Sequence, residues 1–133
     1  MSINTWIGSK LNPTDGMFSF DEACLSEIEN AITLIRDNPL PLLMLHPNNF
    51  NMPRCAELIK GVFDCIENGF GFCLLDRLPL EDMTDNEAKS IYWLLSQMIG
   101  RPVAQKWCDG RMLYSVTDLG VPSGNGVRPD VTN

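Results

Sequence analysis

Apolar positions recur at helical spacing in three stretches of the chain, separated by shorter apolar runs. Cys24, Leu25, Ile28, Ala31, Ile32 and Ile35 repeat every three or four residues and predict a first helix. Ser19-Phe20-Asp21-Glu22 reads as its capping box, Phe18 occupies the staple position, and Asp37-Asn38-Pro39 ends it. Asn51-Met52-Pro53 opens a second helix, because proline is tolerated in a first turn. Its core face is Cys55, Leu58, Ile59, Val62, Phe63 and Ile66, and Asn68-Gly69 closes it. The third is the best specified. Thr84 and Glu87 can exchange side-chain-to-backbone hydrogen bonds, with Met83 and Ala88 as the staple. Ala88, Ile91, Tyr92, Leu95, Met98 and Ile99 then form its stripe, with Trp93 beside it. Gly100 offers a left-handed cap, and Pro102 blocks continuation.

The shorter runs read as extended. Gly71–Leu75 is brief and wholly apolar, the pattern of a strand buried on both faces. Leu40–Leu45 is apolar too, but Pro41 favours a packed connector or an edge strand. Val103–Trp107 and Met112–Thr117 flank Cys108-Asp109-Gly110, and Asp-Gly between apolar runs signals a hairpin. Residues 1–18 read as a leader or arm. Gly120–Asn133, rich in Gly and Pro, reads as a loop without a core of its own. The sum is an α+β chain of three helices and three or four short strands. Those strands leave edges to be covered, so residues 19–133 read as the first portion of a larger fold. The alternative is a non-catalytic binding or interaction domain completed by a partner chain.

A length of 133 residues is that of one domain with a modest core. The net charge of −7 disfavours nucleic acid and anionic membrane as partners. Residues 1–99 hold six Lys and Arg against 14 Asp and Glu, residues 100–133 four against three. A small anion therefore fits the last third better. Five cysteines without a CxxC pair read as reduced structural thiols of a cytoplasmic protein. The N-terminus has no signal-peptide apolar core, and no apolar run is long enough to span a bilayer.

Candidate chemistry is sparse. His46 is the one histidine, between an apolar segment and Pro47, which suits a surface or capping role. Neither a His-based metal site nor a choice of Cys–His pairs can be completed from it. Glu81, Asp82, Asp85 and Glu87 sit where carboxylates favour a helix dipole, and read as solvated caps. From the residues themselves, no catalytic and no metal-binding residue emerges.

Four segments nevertheless carry a resemblance. GFCLLDRLP at 71–79, IYWLLSQMIGRPVAQKW at 91–107, GRMLYSVTD at 110–118 and GVRPDVTN at 126–133 stand in one order. Together they resemble the opening of TauD/TfdA-type Fe(II)/2-oxoglutarate oxygenases, over residues 70–133 and more loosely over 20–69. The resemblance implies N-terminal helices plus the first strands of a double-stranded β-helix (jelly roll), incomplete in this chain. It implies Fe(II) and 2-oxoglutarate as cofactors of the full-length family member, with none bound by this chain alone, and a small-molecule substrate. In the family the last of these loops runs into an HxD iron motif, which lies beyond Asn133. What carries over is a pocket rim for substrate: Gln105 and Tyr114 on early strands, and Arg128, Thr132 and Asn133 on the loop. Arg128 stands out because a guanidinium can grip a carboxylate with two hydrogen bonds.

Overall fold

The computed structural model describes residues 5–105, 108–118 and 120. The chain divides into two units between Arg101 and Pro102.

Three helices dominate the first unit: α1 (Glu22–Asp37), α2 (Pro53–Asn68) and α3 (Asp85–Ile99). Each packs against the other two. Ile28 of α1, Ile59 and Val62 of α2, and Ile91 and Leu94 of α3 meet in a fully buried core. Five of the six residues of the first stripe, Cys24, Ile28, Ala31, Ile32 and Ile35, are buried, and Leu25 is half-buried. The cap is displaced by two residues. Asp21, not Ser19, caps α1, its Oδ1 accepting from Cys24 N at 2.8 Å. A carboxylate next to the first turn outcompetes the more distant hydroxyl.

Helix α2 has no capping side chain of its own. Glu27 of α1 supplies one, accepting at Oε1 from Arg54 N (2.8 Å) and at Oε2 from Cys55 N (2.9 Å). Two orphan donors of the α2 first turn are thereby satisfied from a neighbouring helix. Glu27→Ala is expected to destabilise the unit by about 1 kcal/mol, as for a lost cap. Urea unfolding checks this, and an unchanged midpoint would assign the cap to solvent instead.

The Thr84–Glu87 capping box forms as expected: Glu87 N donates to Thr84 Oγ1 at 3.2 Å, and Thr84 N donates to Glu87 Oε1 at 3.0 Å. The buried face of α3 is rotated from the expected stripe. Trp93 and Leu94 are inside with Ile91 and Leu95, whereas Tyr92 is 59% exposed. Gly100 is extended at φ −166°, so the helix ends without a left-handed residue.

The extended segments form far less sheet than expected. Met17–Phe18 (β1) pairs in parallel with Leu74–Leu75 (β2). Leu74 N donates to Gly16 O at 2.8 Å, and Asp76 N to Phe18 O at 2.7 Å. The end of the expected leader is thus tied to the centre of the chain. Gly16 enters β1 at φ +72°, with a ring carbon of Phe72 only 3.1 Å from where a Cβ would stand, so glycine is needed there. Leu74 is exposed, so the strand is not buried on both faces. Residues Leu42–Met44 take a 3-10 turn, so of the two alternatives the edge strand does not form.

In the second unit, Cys108–Gly110 form the expected turn, with Gly110 at φ +68°. One backbone hydrogen bond follows, from Gln105 N to Arg111 O at 2.6 Å. Met112–Thr117 adds no ladder to it. The hairpin reduces to a turn and one bridge among the described residues; Lys106 and Trp107 lie outside them.

The expected jelly-roll strands are therefore not what this chain builds. The described residues are mainly helical, with a single two-stranded parallel sheet. The physical reason lies in how apolar residues are distributed. Helical stripes take most of them, while the extended runs are short and broken by Pro41 and by Gly71 at φ +82°. No described helix is long and apolar enough to cross a membrane.

Candidate functional site

Two of the five rim residues can be placed. Gln105 is exposed, and its side chain turns back so that Nε2 donates to Val103 O at 3.2 Å. With its backbone N–H on Arg111, it is engaged within its own turn. Tyr114 is half-buried. Arg111 is also committed locally, its Nε 3.1 Å from Asp109 Oδ2. Arg128, Thr132 and Asn133 lie outside the described residues.

The described residues do not fit an iron centre. No group of three or more His, Cys, Asp or Glu among them is placed to hold a metal ion. His46 is an exposed cap, its Nδ1 accepting from Asn48 N at 3.1 Å at the start of the 3-10 turn Pro47–Asn49. The thiols are built into the packing. Cys24 and Cys55 are fully buried, and Cys55 Sγ donates to Cys24 O at 3.4 Å. Burial pushes both thiols up from their ordinary pKa, which removes the thiolate that nucleophilic or metal chemistry needs. Burial also raises Cys73, and Cys65 Sγ donates to Phe72 O at 3.4 Å.

An open groove of about 920 Å³ lies between α2 and the last turn of α3. Ile59 and Met52 floor it, while Phe63 and Ile99 stand in its walls, 49% and 37% exposed. Phe63 was expected in the core; it lies on the α2 flank that no other described element covers as fully. Gln97 also lines the groove, but its Nε2 donates to Leu45 O (2.9 Å) and Trp93 O (3.3 Å). Trp93 Nε1 donates to the same Leu45 carbonyl at 3.1 Å. Gln97 and Trp93 therefore hold the loop before α2 onto α3, while Asn48, Asn51 and Lys60 also line the groove.

The main charged feature is structural. Arg36, near the end of α1, grips Glu87 through Nε–Oε2 at 2.6 Å and Nη2–Oε1 at 2.9 Å. The Glu87 side chain is 7% exposed and that of Arg36 57%, so the expected solvated cap is a buried carboxylate in a bidentate, half-exposed ion pair. Hydrogen bonds from Arg36 and then from the Thr84 backbone lower its carboxyl from 4.5 to about 2. A carboxyl lowered on folding stabilises the fold above its unfolded value and ceases to do so as pH falls through its folded value. The Tm difference between the native chain and Glu87→Gln is expected to shrink as pH falls from about 4.5 to about 2. Thermal melts across that range check it, and a gap independent of pH would contradict the ion pair.

No family model matches the sequence. Over 103 residues the chain is 26% identical to FR-33289 synthase of Streptomyces rubellomurinus. The match takes in 77% of this chain and 30% of that protein. The similarity is distant, and it is to an enzyme. The chain spans less than a third of the length of that synthase.

Proposed function

We propose that these residues are the N-terminal portion of an Fe(II)/2-oxoglutarate-dependent oxygenase acting on a small molecule, without activity alone. The similarity to FR-33289 synthase over 77% of the chain carries this reading. The four-segment resemblance to TauD/TfdA-type oxygenases gives it a reaction class. A 2-His-1-carboxylate iron site needs two histidines, and this chain has one. The iron ligands, and the groups that hold 2-oxoglutarate, accordingly belong to polypeptide outside these 133 residues. The chain's own contribution would be the pocket rim of Gln105, Tyr114, Arg128, Thr132 and Asn133, with Arg128 facing a substrate carboxylate.

The lone, locally engaged histidine favours a second reading, a non-catalytic module completed by a partner chain. Reading the encoding DNA past the codon for Asn133 separates the two. An open frame reaching a His-x-Asp codon series within about a dozen codons, an ordinary loop length, is the expected result. A stop codon there, with a folded 133-residue product in the cell, would overturn the oxygenase reading.

A further inference from the structure

We propose that Cys65 and Cys73 form a reversible disulfide, a redox-sensitive clasp between the end of α2 and the start of β2, made by exchange with a low-molecular-weight disulfide. The proposal stands apart from the oxygenase reading and needs no iron chemistry.

The geometry begins with a loop that turns back on its own helix. The Cys65 carbonyl, in the last turn of α2, accepts from Gly69 N at 3.0 Å and from Gly71 N at 3.2 Å. A Cβ at position 69 would stand 2.8 Å from that carbonyl oxygen, and Gly71 takes φ +82°, so glycine is needed for so close a return. The return places Phe72 O 3.4 Å from Cys65 Sγ, and the next residue bonded to that carbonyl is Cys73. Side chains alternate along a strand, and here Leu74 is exposed while Cys73 and Leu75 are half-buried. Cys73 therefore leaves the face opposite Leu74. Burial raises its thiol, and so does the Cys65 sulfur, which has to be close by to act on it.

The other thiols each lack one requirement. Cys24 and Cys55 touch, but at 1% and 0% exposure they are closed to a dissolved disulfide. Cys108 is exposed, but the second unit holds no other cysteine. Only Cys65 and Cys73 are half-buried and adjacent to one another. Cys65 attacks first, because burial disfavours the Cys73 thiolate. Its thiolate displaces one small thiol and leaves a mixed disulfide on Cys65. Cys73 then attacks the Cys65 sulfur and displaces the second. The protein gives up two electrons and two protons, and the small disulfide takes them up as two thiols. Excess small thiol reverses both steps.

The test uses the purified chain carrying Cys108→Ser, which removes the exposed competitor. It is equilibrated with glutathione disulfide, its free thiols are alkylated in urea, and it is digested with trypsin. Cleavage after Lys60 and Arg77 releases one peptide, Gly61–Arg77, that holds Cys65 and Cys73 and no other cysteine. The expected peptide is unalkylated and lighter by two hydrogen atoms, with Cys24 and Cys55 still alkylated. The Tm of the oxidised chain is expected to rise by about 5 °C, because the cross-link restricts the unfolded state, and to fall back with dithiothreitol. Cys73→Ser in the same background, its folding confirmed by circular dichroism, should lose the Tm rise. Should that variant not fold, the mass of the Gly61–Arg77 peptide decides by itself. Full alkylation, glutathione adducts without the internal bond, or a Cys24–Cys55 cross-link in its place would overturn the proposal. An internal bond that lowers the Tm would overturn it too, because the native loop would then have to break to form it.

Discussion

Replacing Trp93 with alanine is expected to destabilise the helical unit by about 3–5 kcal/mol, the range for a large aromatic lost from a core. Tyr92→Ala, one residue earlier, is expected to stay within about 0.5 kcal/mol. The contrast follows from burial: Trp93 is 5% exposed and Tyr92 59%. Trp93 also does more than fill space. Its indole N–H and Gln97 Nε2 share the carbonyl of Leu45, itself buried. Alanine at 93 leaves both a cavity and a carbonyl with one donor fewer, in the loop that leads into α2. Urea unfolding of both variants gives the comparison, with an unchanged m-value confirming a shared unfolded reference. A larger loss for Tyr92→Ala would mean that α3 presents its other face to the core.

That pair of residues also shows where reading the sequence succeeds and where it stops. The Thr84–Glu87 box was legible because all its atoms belong to four consecutive residues. The α1 stripe was legible because polar residues at 26–27, 29–30 and 33 break its apolar ones into helical spacing. At Ile91-Tyr92-Trp93-Leu94-Leu95 every residue is apolar, so the run has no period to choose a face. The choice is made by the Leu45 carbonyl, 48 residues away in sequence from Trp93. Glu87 with Arg36, and Glu27 with the start of α2, are likewise remote pairs that no local pattern announces. The two-residue strands β1 and β2 carry no periodicity at all, and their parallel pairing joins positions 17 and 74.

The jelly-roll expectation failed for a related reason. The family resemblance supplied it, while the spacing of apolar residues already placed most of them on helices. For the candidate site, the histidine count was legible: one imidazole falls short of the two that a 2-His-1-carboxylate site needs. The groove was not legible, because Phe63 follows the α2 stripe in sequence yet lies on its uncovered flank.

The most direct test is succinate release by the purified, folded 133-residue chain with Fe(II), ascorbate, oxygen and 2-oxoglutarate. His46 is the only imidazole, and its Nδ1 is occupied by the Asn48 N–H. The buried thiols Cys24 and Cys55 are held away from their thiolate forms. The described carboxylates are not grouped with either as a metal site. A facial triad therefore has to draw on other polypeptide, and the chain alone should release no succinate above the enzyme-free background. Circular dichroism on the same sample establishes that it is folded. Iron-dependent succinate release by these residues alone would contradict the central claim, because it would place a complete reaction centre within a chain that has one histidine.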